Sequence, residues 1–517
     1  MFNREIIYCG LQRILILLLC IILNIVIPDH NAQGVEEFNV QYSSDVSRQI
    51  LSTFVRWDAV HYIKIACEGY SSEHQLVFFP LYPTIIRLIG FLITCLCNGI
   101  TLHEAVIIGA VALNIVSFLC TLQVLRHLIP LIYPEISVSS LNTAVFMFAM
   151  NPANVFFTVP YTETLFSLFS WTGFYLFTIN RKLLSIIPLF LASTLRSNGV
   201  LNIIVIFLTG FSSFMCPSNK KAFHVWLNTM KMIMVCFAIV LPTYLYNTVQ
   251  LSILCSENDV VSMNTCLVND NSLYCLIKMY TNQLSQQLYA FTLSSNTVLS
   301  IDADTIEFCN KHAYSCDTLL NYILQFIYPT TTAVTTSSTV YSYLQAKYWN
   351  VGFFSSYQIR QLPNFALAVP ISILTIYTIY YYRTLISSPC IQSTTSNSNQ
   401  DKNMGLNLNI YIKIWENIQN PCFPYVIHLI VVLLLCICIA HIQISTRLIC
   451  ASSPILYCTM AHIYNTTSVY KKWLVWYIIL FNIIGILLHC NYYPWTWTHI
   501  YYIIITIWQY CNIVILK

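Results

Sequence analysis

Charge is scarce in this chain: Asp, Glu, Lys and Arg make up only 9% of its 517 residues, while 57% are hydrophobic. A water-soluble globule of this length needs more polar surface than that, so the bilayer must be its solvent. The net charge of +4 is thinly spread, and no basic tract is long enough to neutralise a run of phosphates. Nucleic acid is therefore excluded as a partner. Also missing are a Walker loop, a G-x-G-x-x-G after a strand and a G-x-S-x-G elbow. No internal repeat is visible, which speaks against transporters built from duplicated halves. His30, His61 and His74 fit no standard zinc spacing, and no metal or cofactor is expected.

What is present is a series of apolar runs. A membrane span needs about 20 such residues, and candidates lie near 14–28, 104–126, 138–158, 162–180, 224–250, 361–382, 422–444, 449–464, 473–490 and 499–516. The stretch 183–214 is too long for one upright span and is interrupted by Arg196-Ser197-Asn198-Gly199, as discontinuous helices are. Counting both halves gives about twelve crossings. The first run follows Arg4 and Arg13 and lacks a cleavage pattern, so it reads as an uncleaved signal anchor with a cytosolic N-terminus. Most of the 21 cysteines lie inside apolar runs, as Cys436 and Cys438 do, and read as packing residues. Cys255, Cys266, Cys275, Cys309 and Cys316 fall in one long loop, an odd number that leaves at least one unpaired there.

Lys and Arg in short loops set orientation. Arg181-Lys182, Lys220-Lys221, Arg383, the polar linker with Lys402 and Lys471-Lys472 belong on the cytosolic side. Residues 29–103, the turn Asn151 to Glu163, the break at Arg196 and the connection 251–360 then share the opposite face. That assignment requires the block Phe78 to Cys97 to lie along the membrane surface rather than cross. The sequon Asn465-Thr466-Thr467 falls on the cytosolic side and should carry no glycan. One membrane-embedded domain over 1–517 results. It has an anchor helix at 1–28, a first loop at 29–103, helices over 104–250, a long loop at 251–360 and C-terminal helices over 361–517 with a linker at 388–420.

The most informative block is Arg56-Trp57-Asp58-Ala59-Val60-His61-Tyr62. On a helix, Asp58, His61, Tyr62 and Ile65 share a face, holding a carboxylate near an imidazole and a phenol. Phe78-Phe79-Pro80-Leu81-Tyr82-Pro83 then supplies aromatics at headgroup level, which suits a lipid-linked substrate. Structural roles compete with each of these. Asp58 can simply pair with Arg56, and Trp57 and Tyr62 can form an aromatic belt. Asp302-Ala303-Asp304 resembles a nucleotide-sugar D-x-D, but that pattern is common by chance.

The run RWDAVHYIKIACEGY followed by FFPLYP resembles the first luminal loop of the PIG-V family of GPI mannosyltransferases, which have the GT-C glycosyltransferase fold. The resemblance extends to IPDH at Ile27 to His30, Asn151 to Phe156 with Tyr161-Thr162-Glu163, and Leu195 to Gly199. It continues through Tyr341 to Pro370, His441 to Gln443 with Thr446-Arg447, and His489 to Asn491 with Pro494 to Thr496. It implies an all-α polytopic bundle in the endoplasmic reticulum membrane with a luminal active site. The implied reaction moves mannose from dolichol phosphate mannose to a mannosyl-glucosaminyl-phosphatidylinositol acceptor, forming an α-1,6 bond with inversion.

Such a displacement needs a base for the acceptor hydroxyl and cationic or hydrogen-bonding groups for the departing phosphate. The resemblance makes Asp58 the base, with Asp29 second. Arg196 is the first phosphate ligand, with Arg447 and Arg360 as alternatives, although Arg196 can equally pair with Glu163 and the other two can snorkel. Trp57, His61, Tyr62 and Glu163 complete the expected binding set, Glu163 also suiting a helix cap. The residues leave open whether an accessory membrane subunit is needed. Another polyprenol-phosphate-sugar transferase is the nearest alternative, and a transporter a more distant one.

Overall fold

The computed structural model describes residues 2–30, 39–215, 222–255, 339–387, 419–466 and 468–493. The Asp302 motif, the loop cysteines beyond Cys255, most of the linker 388–420 and the run 499–516 lie outside them. The described residues are helical. Among the described residues, five helices are long and apolar enough to cross a membrane: Ile7–Val26, Leu102–Ile132, His224–Leu251, Leu362–Arg383 and Val469–Cys490. They belong to α1 (Phe2–Val26), α5 (Leu102–Ile132), α10 (Ala222–Cys255), α12 (Leu362–Ser387) and α16 (Ser468–Cys490).

Between α1 and α5 come three shorter helices, α2 (Asp45–Leu51), α3 (Asp58–Glu68) and α4 (Leu81–Leu96). Thr101 caps α5, and its hydroxyl donates to the Gln41 carbonyl at 2.7 Å, while Glu104 accepts from the Ser43 N–H at 2.9 Å. Residues 41–43 and 101–104 therefore meet at one end of α5. α4 runs antiparallel beside only the first half of α5: Tyr82 faces Asn114 at 3.5 Å, and a Cβ on Gly90 would strike Val106 at 2.6 Å. The chain thus returns at residue 101 to the place it left at residue 43.

Several expected spans are broken or shortened. The 138–158 span ends early: α6 (Val138–Ala149) stops before Asn151-Pro152, and a 3-10 turn over Asn154–Phe157 leads to α7 (Glu163–Thr178). The stop has a visible cause in Arg13. Its Nη2 donates to the Ala149 carbonyl at 2.8 Å, its Nη1 to the Asn154 carbonyl at 3.2 Å and Thr158 Oγ1 at 2.8 Å, and it also bonds Asn154 Oδ1. The guanidinium lies 3.6 Å over the Phe118 ring and is fully buried. Arg13 is thus not the cytosolic flank the sequence suggested but an internal cap on this turn. Asn114 Nδ2 donates to the Val159 and Tyr161 carbonyls, the latter at 3.0 Å. Irregular backbone inside an apolar bundle needs such partners.

The 183–214 break is present: α8 (Ile186–Leu195) ends, Arg196 is extended, Ser197–Leu201 makes a 3-10 turn, and α9 (Asn202–Met215) follows. A Cβ on Gly199 would fall 2.6 Å from Ser193 Cα and 2.7 Å from the Ala192 carbonyl oxygen, so glycine alone permits the fold-back. The remaining helices are α11 (Val340–Trp349), α13 (Phe423–Cys438), α14 (Ser445–Ser452) and α15 (Ile455–Thr466). Ser453-Pro454 splits the expected 449–464 span, since proline denies the ladder its N–H. One apolar core joins most of these elements, and Cys436 and Cys450 are buried in it as free thiols.

Candidate active site

The breaks in α6–α7, α8–α9 and α14–α15, together with the start of α3, are joined by side-chain contacts. α3 opens on Asp58 because Trp57 takes φ +54° and ψ −126° at the position before it. A bulky residue rarely adopts φ above zero, and such strain clusters at functional sites. The turn aims the Asp58 carboxylate at Arg447 on α14, Oδ2 to Nη1 2.7 Å. Arg447 Nε lies 3.6 Å from Glu163 Oε1, and the same oxygen takes Arg196 Nη1 at 2.7 Å. The row reads Asp58, Arg447, Glu163, Arg196: two anions and two cations.

Glu163 is only 1% exposed, so isolated it would be costly, and the two guanidiniums compensate it. It is therefore neither a simple cap nor a partner of His61. Arg196 is committed to Glu163, the structural alternative the sequence left open. Arg447 is 17% exposed and pairs inward, which replaces the snorkelling role. The side chain of Arg360 lies outside the described residues.

A second cluster sits beside the first. Arg56 does not pair with Asp58, as the local spacing suggested. Its Nη2 meets Asp29 Oδ2 at 2.9 Å and Asn24 Oδ1 at 2.7 Å, and its guanidinium stacks 4.4 Å over Tyr492. The two carboxylates are driven apart in ionisation. Burial works to raise the Asp58 carboxyl, but Arg447, with smaller help from His61 and Arg196, holds the group below its ordinary value. Asp29 is raised, because burial there exceeds the pull of Arg56. Acid and base assignments are found where neighbouring titratable groups are pushed apart in this way.

Asp58, Arg447, Trp57, Phe156 and Tyr161 line a cleft of about 120 Å³ that is open at its mouth. The buried Trp57 indole Nε1 has no hydrogen-bond partner. His61 and Tyr62 do not line it. His61 stacks on Phe78 at 4.7 Å and meets His74 edge-on at 5.3 Å, while Tyr62 is buried against Phe78 and Tyr82. Both hold the first loop together. α11 is fastened to the same region: Ser197 Oγ donates to Tyr341 Oη at 2.9 Å, and Glu73 accepts from Lys347 and Tyr348. Sequence reasoning missed Arg13 and Asn114 as supports and Arg56 as a partner of Asp29. Arg13 offered a signal: it directly precedes the apolar run at 14–28, yet apolar residues Ile6, Ile7 and Leu11 come before it.

Charged side chains gathered under apolar, membrane-spanning helices around an open cleft mark this as an integral membrane protein with a candidate active site. Its lineage follows from comparison. The family described as Mannosyltransferase (PIG-V) matches residues 4–496, and the chain belongs to that family. It is similar to GPI alpha-1,6-mannosyltransferase 2 of Homo sapiens, 25% identical over 94% of this chain and 96% of the relative. The GPI mannosyltransferase 2 of Drosophila pseudoobscura pseudoobscura is 28% identical over 94% and 98%. Among solved structures, the archaeal oligosaccharyltransferase AglB from Archaeoglobus fulgidus, in complex with an inhibitory peptide and a dolichol-phosphate, overlaps 93% of this chain and 56% of its own. The TM-score is 0.37 and the identity 9%, too slight a likeness to carry an inference.

Proposed function

We propose that this chain is an α-1,6-mannosyltransferase of GPI-anchor assembly in the endoplasmic reticulum. In this reading its cleft opens on the luminal face. The donor is dolichol phosphate mannose and the acceptor is mannosyl-glucosaminyl-phosphatidylinositol, which receives its second mannose. Family membership and the names of the relatives support the reaction, and the observation that carries the site is the sharing of Arg447 between Asp58 and Glu163.

Arg447 is the cation a lipid phosphate meets on entering the cleft, and Asp58 already occupies it. A donor phosphate that pairs with Arg447 competes with Asp58 for the guanidinium, and the carboxylate loses the partner that depresses it. Its basicity then rises toward the range a general base needs. Asp58 takes the proton of the acceptor hydroxyl as that oxygen bonds to the mannose C1 carbon. The C1–O bond to phosphate breaks on the opposite side, dolichol phosphate leaves, and the β-linked donor gives an α product. Arg196 pairs with Glu163 and fixes its carboxylate, so Arg447 stays oriented while its other partner is exchanged. Trp57 offers its free indole N–H to a sugar or phosphate oxygen. Asp29, held by Arg56, is the second carboxylate within this region.

The test is rescue of surface GPI-anchored proteins in cells lacking their own second mannosyltransferase. The unmutated chain is expected to restore them, and Asp58→Ala to fail at equal abundance. Full rescue by Asp58→Ala would reject the base. Failure of the well-expressed unmutated chain would favour another polyprenol-phosphate-sugar transferase with a different acceptor.

A further inference from the structure

The aromatics that the sequence placed at headgroup level, Phe78, Phe79 and Tyr82, are buried. A different segment leaves its apolar side chains outside. Between α11 and α12, Phe353, Phe354 and Tyr357 are about half exposed and Ile359 is 94% exposed. Their rings form a chain: Phe353 to Phe354 at 4.5 Å, Phe354 to Tyr357 at 5.1 Å, and Tyr357 to Phe365 on the first turn of α12 at 4.8 Å. No acidic residue occurs between Asp317 and Asp401.

The loop is built as the inverse of one that faces water. The Phe354 N–H donates to the carbonyl of Cys438, the last residue of α13, at 2.7 Å, and the Val351, Ser355, Tyr357, Gln358 and Gln361 N–H groups also find backbone acceptors. The Ser355 hydroxyl donates to the Asn350 carbonyl, the Asn350 amide donates to the Ser355 carbonyl at 3.3 Å, and Ser356 is buried. Backbone donors kept from water must be met internally. Phe354 takes φ +54°, a costly conformation for a bulky residue, and the bond to Cys438 holds it there.

Depth follows from α12. Its exposed residues Leu362, Ala366, Val369, Ile373, Ile376 and Tyr380 recur at steps of three and four, which makes one apolar face along a membrane span. At about 1.5 Å per residue, the 22 residues from Leu362 to Arg383 reach about 33 Å, and a hydrocarbon core is roughly 30 Å thick. With Arg383 in one headgroup layer, the first turn of α12 stands at the edge of the other. Through the contact of Tyr357 with Phe365, the loop lies beside that turn rather than above it.

We infer that residues 350–361 lie in the boundary between headgroups and acyl chains, with Phe353, Phe354, Tyr357 and Ile359 against the upper methylenes of the lipid, and that this anchor sets the depth of α12. Aromatic and aliphatic side chains without an acidic neighbour suit that layer. The consequence reaches the cleft, because Asn364, Leu367 and Ala368 line it within two turns of Leu362. This anchoring holds whatever sugar the protein transfers.

The test uses the full-length protein in phosphatidylcholine nanodiscs, with an environment-sensitive fluorescent amino acid placed by amber suppression at the exposed position of Ile359, Ala366 or Ile373. Ile373 is eleven residues into α12, about 16 Å below Leu362, and serves as the midplane reference. Quenching at Ile359 should be at least about twofold stronger with doxyl at lipid carbon 5 than at carbon 12, the reverse of the order at Ile373, and weak with aqueous iodide. Strong iodide quenching at Ile359 with no preference between the doxyl positions would overturn the placement. So would shielding found in discs that hold two copies and lost in discs that hold one, which would make a second copy of the chain the occupant. Phe353→Asp with Ile359→Asp drives the loop toward water, so iodide quenching at Ala366 is expected to rise at least about twofold. An unchanged value there would overturn the anchoring of α12.

Discussion

The row Asp58, Arg447, Glu163, Arg196 is neutral as it stands, and removing one charge of either sign should move donor binding in opposite directions. Asp58→Asn leaves a net positive site, while Arg447→Met leaves a net negative one. Two unit charges about 4 Å apart interact by about 4 kcal/mol at an effective dielectric of 20. The Asp58 and Arg447 side chains are 35% and 17% exposed, and solvent screening at that exposure roughly halves the figure. About 2 kcal/mol remains, near thirtyfold in a dissociation constant. Arg447→Met should therefore raise the donor KM by about thirtyfold, whereas Asp58→Asn should leave it equal or lower and reduce kcat by about 10²–10⁴-fold, the usual contribution of a general base. The assay is radiolabelled mannose transfer in detergent-solubilised membranes at matched abundance, with donor concentration varied. An Asp58→Asn enzyme whose donor KM rises as far as that of Arg447→Met would refute the charge reasoning. One that keeps kcat within about threefold would refute the base assignment.

Other predictions are shorter. Because Asp58 is held below its ordinary value, its contribution to activity and stability is present above the unfolded value and is lost as pH falls through the lower folded one. The acid limb of kcat/KM should lie below about pH 4, the ordinary Asp range, and Arg447→Met should shift it upward in a pH-rate profile. Glu163→Gln strands the Arg196 guanidinium, while Arg447 keeps Asp58, and should cost about 3–5 kcal/mol, read as lost abundance that Glu163→Gln with Arg196→Met partly recovers. Gly199→Ala drives a methyl into the Ser193 backbone, an overpacking penalty of about 1–3 kcal/mol, measured as a lower midpoint of thermal aggregation. Asn465 is exposed and neighbours Ser140, and endoglycosidase treatment should leave the protein's mobility unchanged.

Local signals were legible, and distant pairings were not. The Arg196 to Gly199 interruption could be read from an arginine and a glycine inside an apolar run, and the break formed there. Within the Arg56 to Tyr62 block the nearest opposite charge was not the partner: Asp58 reaches an arginine 389 positions away. Spacing along a helix predicts which side chains share a face, as it did for Asp58 and Tyr62, but not which helix packs against that face. The same limit explains His61 and Tyr62, whose aromatic neighbours Phe78 and Tyr82 turn them into the support of the loop. Span lengths failed for a physical reason as well. Hydropathy counts apolar residues and is blind to buried side-chain caps, so α6 looked longer than it is.

Arg13 carries a consequence for how the chain is made. Its four acceptors lie 136 to 145 residues downstream, so when the first helix enters the bilayer its cation has nothing yet to bond. At about 5–20 residues per second of synthesis, those acceptors emerge roughly seven to thirty seconds later. Throughout that interval the nascent helix must shelter a charge against the insertion machinery or lipid headgroups, and only the arrival of the Ala149 to Thr158 turn lets it settle inward.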